Sequence, residues 1–136
     1  MQARTVPGAA LALLTALTLA ACASAGGGAP AVPDVSGVWV GGVTVEGQVI
    51  EGTLDLTQEG SALEARFTAP AFGITAEGEG TVGVDGAVEI DLGYYMECAG
   101  SALMRGQLSA DGTALSGTLQ ATDCTGQMVG AFDFAR

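Results

Sequence analysis

From Gly37 to the end of the chain, apolar and polar side chains alternate with a period of two. Leu54 and Leu56 alternate with Thr53, Asp55 and Thr57. Leu63, Ala65 and Phe67 alternate with Glu64, Arg66 and Thr68, and Val88, Ile90 and Leu92 with Glu89 and Asp91. The same holds for Ile74, Ala76, Gly78 and Gly80 against Thr75, Glu77, Glu79 and Thr81, and for Leu115, Gly117 and Leu119 against Ser116, Thr118 and Gln120. Met128, Gly130, Phe132 and Phe134 alternate with Gln127 and Asp133. Strict alternation marks a strand with one dry and one wet face, as in antiparallel sheet. No stretch here carries an apolar stripe at helical spacing.

The punctuation agrees with the period. Glu46-Gly47, Glu59-Gly60, Asp85-Gly86 and Asp111-Gly112 fall between the alternating runs, and such pairs supply the positive φ that tight hairpins demand. A weak internal repeat, Gly-x-Leu/Val through an acidic-Gly turn to Ala-Leu/Val, recurs from Gly52, Gly80 and Gly106. Repeated hairpin chemistry accounts for it. The spans Gly37–Val45, Val49–Gln58, Ala62–Thr68, Gly73–Val82, Ala87–Leu92, Ala102–Ser109, Ala114–Ala121 and Met128–Ala135 make about eight strands in simple succession. The predicted fold is all-β, an antiparallel up-and-down meander that removes its edges by closing into a small barrel. A sandwich of seven or eight strands is the alternative. Glycines on the inward face (Gly78, Gly80, Gly106, Gly117, Gly130) would permit tight coiling.

The first 36 residues follow another pattern. Arg4 is followed, from Ala9 to Ala21, by an uncharged run of Ala, Leu and Thr. A positive start, a short apolar core and small residues before a cleavage point describe a secretory signal, and the run falls short of the roughly 20 apolar residues a membrane helix needs. The run closes on Leu19-Ala20-Ala21-Cys22, which resembles the lipobox of bacterial lipoproteins. That resemblance implies removal of residues 1–21, lipidation of Cys22 and a membrane held through its acyl chains. With Ala23 following the cysteine, it points to the outer membrane, facing the periplasm. Residues 22–36, rich in Ala, Gly and Pro, are expected to be a linker spanning roughly 20 Å, and residues 37–136 the folded domain.

With Cys22 assigned to lipid, Cys98 and Cys124 remain, in an envelope where paired cysteines persist. The expected disulfide closes a loop of about 25 residues, worth roughly 3–4 kcal/mol in the chain-entropy model. Two free thiols or a metal pair is the other reading, but the chain has no histidine to complete a zinc site. All 15 acidic residues follow Cys22, against three of the 4 basic ones, which leaves −12 on the chain beyond it. Such a surface repels nucleic acid and anionic headgroups and attracts basic proteins.

Ser36-Gly37-Val38-Trp39, opening a meander of this length, resembles the Gly-x-Trp start of lipocalins, avidins and related small barrels. Leu54-Asp55-Leu56-Thr57-Gln58-Glu59-Gly60 is similar to the second strand and hairpin of bacterial barrel lipoproteins. The resemblance implies that Trp39 packs across the closed end under an arginine, Arg105 or Arg136, and that the domain binds rather than catalyses. Eight strands enclose either a filled core or room for one small ligand. Abundant interior Ala and Gly leave both open, with a filled core the expectation. A lipid-spanning barrel is disfavoured by strands mostly shorter than 9–11 residues and by few aromatics.

Catalysis is poorly provided for. There is no histidine, no lysine and no free cysteine expected, hence no ready base or nucleophile. Glu77 and Glu79, about 7 Å apart on one strand face, match an inverting glycosidase spacing but more simply are solvated. Asp85-Gly86 and Asp111-Gly112 lack the oxygen ligands of a calcium loop. No cofactor, metal or catalytic residue is expected. Tyr94 and Tyr95, before Cys98, are where aromatics gather, and exposed tyrosines suit protein recognition. Acidic, anchored, disulfide-bonded barrels include the membrane-bound lysozyme inhibitors, a likeness of format. Two functions follow: a carrier or scavenger of a small apolar ligand, or an interaction module such as an inhibitor of a basic enzyme or an envelope-assembly accessory.

Overall fold

The structure, a computed structural model, describes residues 30–136. Cys22 and the apolar segment before it lie outside the described residues. Eight strands follow one another: β1 (Gly37–Val45), β2 (Gln48–Glu59), β3 (Ala62–Ala69), β4 (Ile74–Val82), β5 (Ala87–Tyr95), β6 (Ala99–Leu108), β7 (Ala114–Asp123) and β8 (Gly126–Ala135). Each pairs antiparallel with the next. β8 pairs with β1 from Val45↔Gly130 to Val40↔Ala135, so the sheet closes into a barrel, not a sandwich. Closure leaves no unpaired edge for another chain to extend.

Each alternating run forms a strand, with its apolar set inside. Trp39, Leu54, Leu56, Ile90, Met104, Leu115 and Phe134 are fully buried, and among the described residues no polar or charged one is buried with them. The hairpins use the expected turns: Glu46 and Gly47 both take positive φ, 51° and 81°, the two-residue geometry that follows the twist of its flanking strands. One connection differs. Gly73 does not begin a strand; it caps a single 3-10 turn, Pro70–Phe72, with φ 65°. Proline at the first position and glycine just past the last delimit that turn.

The inward glycines are where strands crowd. A Cβ on Gly117 would strike the Arg105 carbonyl oxygen and the Gly106 Cα across the β6–β7 ladder, and one on Gly106 would strike the Ser116 oxygen and the Phe132 ring. Gly106 and Gly117 are direct partners. At this pair the barrel wall is drawn in to a separation that no side chain allows, and Phe132 covers the gap.

β1 begins at Gly37, and the residues just before it pack on the barrel: Val35 is wholly buried and its N–H donates to Gln58 Oε1 at 2.8 Å. Most strands are longer than expected, while β1 keeps its expected span and β4 loses Gly73; they run 8 to 12 residues, so length does not separate this barrel from one that crosses a bilayer. Polarity does: Glu51, Asp55, Glu59, Glu64, Glu77, Glu79, Glu89 and Asp91 all point outward from β2–β5 around an apolar interior, the reverse of a lipid-facing band around a polar lumen.

Candidate functional site: a cavity at one end of the barrel

The two ends are built from different residues. At one end lie the β2–β3, β4–β5 and β6–β7 turns and the segment before β1. Trp39, Leu56, Leu63, Val82, Val88, Leu115 and Phe134 fill it. The Trp39 indole N–H donates to the Val35 carbonyl at 2.8 Å. Arg136, not Arg105, lies over that indole, 4.4 Å from the ring centroid. Its guanidinium donates to three backbone carbonyls: Gly112 at 2.9 Å, Ser36 at 3.0 Å and Asp34 at 2.8 Å. One cation thereby ties the last residue to the segment before β1 and to the β6–β7 turn. Arg105 instead pairs with Glu89 on the outer wall at 2.8 Å.

The other end is not filled. A cavity of about 310 Å³ is lined by Val43, Val45, Ile50, Phe67, Ile74, Ala76, Leu92, Tyr94, Ala102, Met104, Leu119, Ala121 and Met128, and it reaches solvent past Glu46, Gln48 and Met96. This corrects the expectation of a filled core. The reason is register. Inward positions at the closed end hold Trp, Leu, Val and Phe, whereas β4, β6 and β7 place Ala76, Ala102 and Ala121 at the other end. Phe67, edge-on to Phe134 with centroids 6.0 Å apart, forms the floor between the two halves.

The mouth is braced. Cys98, in the turn between β5 and β6, is disulfide-bonded to Cys124, at the β7–β8 turn, with Cα atoms 6.2 Å apart. Beside it the Tyr94 hydroxyl donates to Asp123 Oδ2 at 3.1 Å. Burial foremost, and then that bond and the Asp123 charge, raise the Tyr94 hydroxyl above its ordinary 10.0, so it stays protonated. Asp123 also accepts from the Thr125 hydroxyl and N–H. Those two bonds, ahead of the Tyr94 bond, hold its carboxyl below the ordinary 3.8. The Tyr94 ring lies over its cross-strand partner Gly100, where a Cβ would meet the ring at 2.5 Å.

The sequence groups Tyr94 and Tyr95 as candidate exposed recognition residues before Cys98. The structure puts both in β5, facing opposite ways: Tyr94 lines the cavity, and Tyr95 is 70% exposed on the outer wall. Glu77 and Glu79 are exposed on that outer wall and are not part of the cavity lining. Glu77 meets Arg66 at 3.3 Å, and Glu79 stands between Glu64 and Asp91 in the ladder. Asp85 and Asp111 serve their own turns: Asp85 accepts from the Ala87 N–H at 3.0 Å, and Asp111 from the Ser109 hydroxyl at 2.6 Å and the Thr113 hydroxyl at 2.8 Å. The cavity liners Ala102 and Ala121 were missed in the sequence because alanine in a strand carries no sign of what stands opposite.

No protein-family model matches the chain, and no curated protein matches it. Solved structures do. A redesigned β-barrel, b11L5F_LGL, superimposes with a TM-score of 0.59 at 17% identity, covering 74% of this chain and 90% of its own. The redesigned barrel mFAP1, bound to DFHBI, gives 0.57 at 23% identity, covering 74% and 94%. A related design, mFAP0, also bound to DFHBI, gives 0.55 at 21%, covering 74% and 97%. At these identities the likeness is one of fold.

Proposed function

We propose that the protein is a non-enzymatic, membrane-anchored binding barrel of the cell envelope, a carrier or scavenger of one small apolar ligand. The observation that carries this is the cavity: about 310 Å³, walled by apolar side chains and open at one end. Ligand pockets begin at roughly 300 Å³ and pair apolar walls with a few polar groups. Here those groups are the Tyr94 hydroxyl, Gln48 and Glu46, all at the mouth. The barrel architecture supports such use, since mFAP1 and mFAP0 are bound to DFHBI. The interaction-module reading is the weaker one, because Tyr94 is committed to the cavity wall and leaves Tyr95 as the outward aromatic of the pair.

The test is binding of N-phenyl-1-naphthylamine, a neutral apolar dye that brightens when desolvated. The protein is expected to bind it, and Ala102→Phe, which places a ring in the cavity, to abolish binding with the fold intact by far-UV circular dichroism. Unchanged binding in that variant overturns the reading. The anchor rests on Leu19-Ala20-Ala21-Cys22. Two or more acyl chains hold a protein on a membrane where a single one does not. Cys22→Ala should move the protein from the membrane to the soluble fraction, and retention on the membrane refutes the anchor.

A further inference from the structure

The charge at the cavity mouth has one sign. Glu46 lines the opening, and Asp123 meets it through the Tyr94 hydroxyl. Glu97 lies in the same turn as the liner Met96. None of the arginines among the described residues reaches this end. Arg66 is paired with Glu77 and Arg105 with Glu89 on the outer wall, and Arg136 is held over Trp39 at the closed end. Among the described residues no charged side chain is buried inside the barrel. A ligand that fills the cavity with its apolar body must therefore leave any polar end at the mouth, among carboxylates and hydrogen-bond acceptors.

Resting on the cavity being a ligand site, we infer that the ligand class is a single-chain or small-ring hydrophobic amine, its body in the barrel and its protonated nitrogen at the Glu46–Asp123 mouth. Three features support this over the other head groups an apolar ligand can carry. A carboxylate or phosphate would sit against like charge with no arginine or lysine to receive it, and like charges disfavour each other's ionised form. A neutral alcohol would find acceptors but gain nothing from the field. An ammonium supplies three donors to a mouth rich in acceptors and is drawn in by the negative potential of the whole domain, which focuses at a low-dielectric opening. The volume sets the size: about 310 Å³ lies at the bottom of the ligand-pocket range, too small for a two-chain lipid.

Displacement of N-phenyl-1-naphthylamine from the purified full chain carrying Cys22→Ala tests this, since no acyl chain then competes for the cavity. Decylamine, 1-decanol and decanoate share one apolar body and differ only in charge. Decylamine is expected to displace the dye about three- to tenfold more tightly than 1-decanol, the span of one or two exposed ion pairs, and decanoate more weakly than the alcohol. Added salt should shrink the amine's advantage and leave the alcohol unchanged. Glu46→Asn removes one mouth charge while suiting the positive-φ turn position. It should cut the preference for decylamine over 1-decanol about two- to threefold, both displacements being referred to that variant's own affinity for the dye, and Asp123→Asn gives a second reading on the other carboxylate. Equal displacement by amine and alcohol, or tighter displacement by decanoate, overturns the head-group assignment while leaving the cavity a ligand site. Failure of the dye to bind at all refutes the ligand site itself.

Discussion

At the scale of single residues, the closed end depends on Trp39 and Arg136. Trp39→Phe keeps the apolar bulk but removes the indole N–H, which strands the buried Val35 carbonyl and opens a small void. The expected loss is about 2 kcal/mol of unfolding free energy, read from urea melts by circular dichroism because Trp39 is the chain's one tryptophan. Arg136→Ala releases three carbonyls and the stacked ring together, with an expected loss of about 1–2 kcal/mol. No sequence reasoning could choose between Arg105 and Arg136. Both are arginines near strands, and the choice is made by closure, which brings the last residue beside Ser36, whose carbonyl it reaches. Three aspartates give the pH response. Hydroxyl donors hold Asp34 (Ser36), Asp111 (Ser109) and Asp123 (Thr125) below 3.8. Depressed carboxyls contribute stability above the unfolded value, and that contribution is lost as pH falls through the folded value. The urea midpoint should therefore decline below about pH 3.8 and do so less steeply in the variant carrying D34N, D111N and D123N. An equally steep decline in that variant would count against these caps as the cause.

At the scale of strands, the alternation was legible because it depends only on which side of a pleat each residue faces. The crossing strand adds nothing to it. Glycine behaves differently, since its meaning lies in its partner. Gly117 and Gly93 look alike as strand glycines, yet a Cβ on Gly117 would collide with backbone, while one on Gly93 meets only the Glu77 oxygen at 3.8 Å. Gly117→Ala should cost about 2–3 kcal/mol through forced separation of β6 and β7. Gly93→Ala should be neutral or stabilising by about 0.5 kcal/mol, from a less free unfolded chain. Similar losses in both variants would mean that close approach is not the reason for the glycine at 117. The outer wall holds a comparable case. Glu64, Glu79 and Asp91 are direct neighbours across β3, β4 and β5, and like charges placed opposite one another are destabilising. Glu79→Thr should therefore stabilise the barrel by about 0.5 kcal/mol in low salt, with the gain fading as salt screens the row.

At the scale of the whole molecule, the cavity exists because Trp39 and Phe134 fill the closed end, whereas three inward positions at the other end, 76, 102 and 121, hold only alanine. That division is invisible along the chain. Ala76, Ala102 and Ala121 come from three different strands and line one cavity only once the register of the strands is set. The disulfide has a position of the same kind. It joins the β5–β6 turn to the β7–β8 turn, so it braces the open mouth, whereas the closed end is held by Trp39 and Arg136. Replacing both cysteines with serine should lower unfolding free energy by about 3–4 kcal/mol, the loop-closure value for a bridge of this span. The closed end is untouched by this change, so the barrel should still fold, with near-native circular dichroism and the tryptophan emission of a buried indole. The Tyr94–Asp123 hydrogen bond then remains without the covalent bridge beside it, and bound dye should leave the mouth faster, raising the dissociation rate more than it lowers the association rate. A variant that loses stability with unchanged dye release would show that the bridge braces the fold alone. A faster release with the indole still buried would place its constraint at the entrance to the cavity.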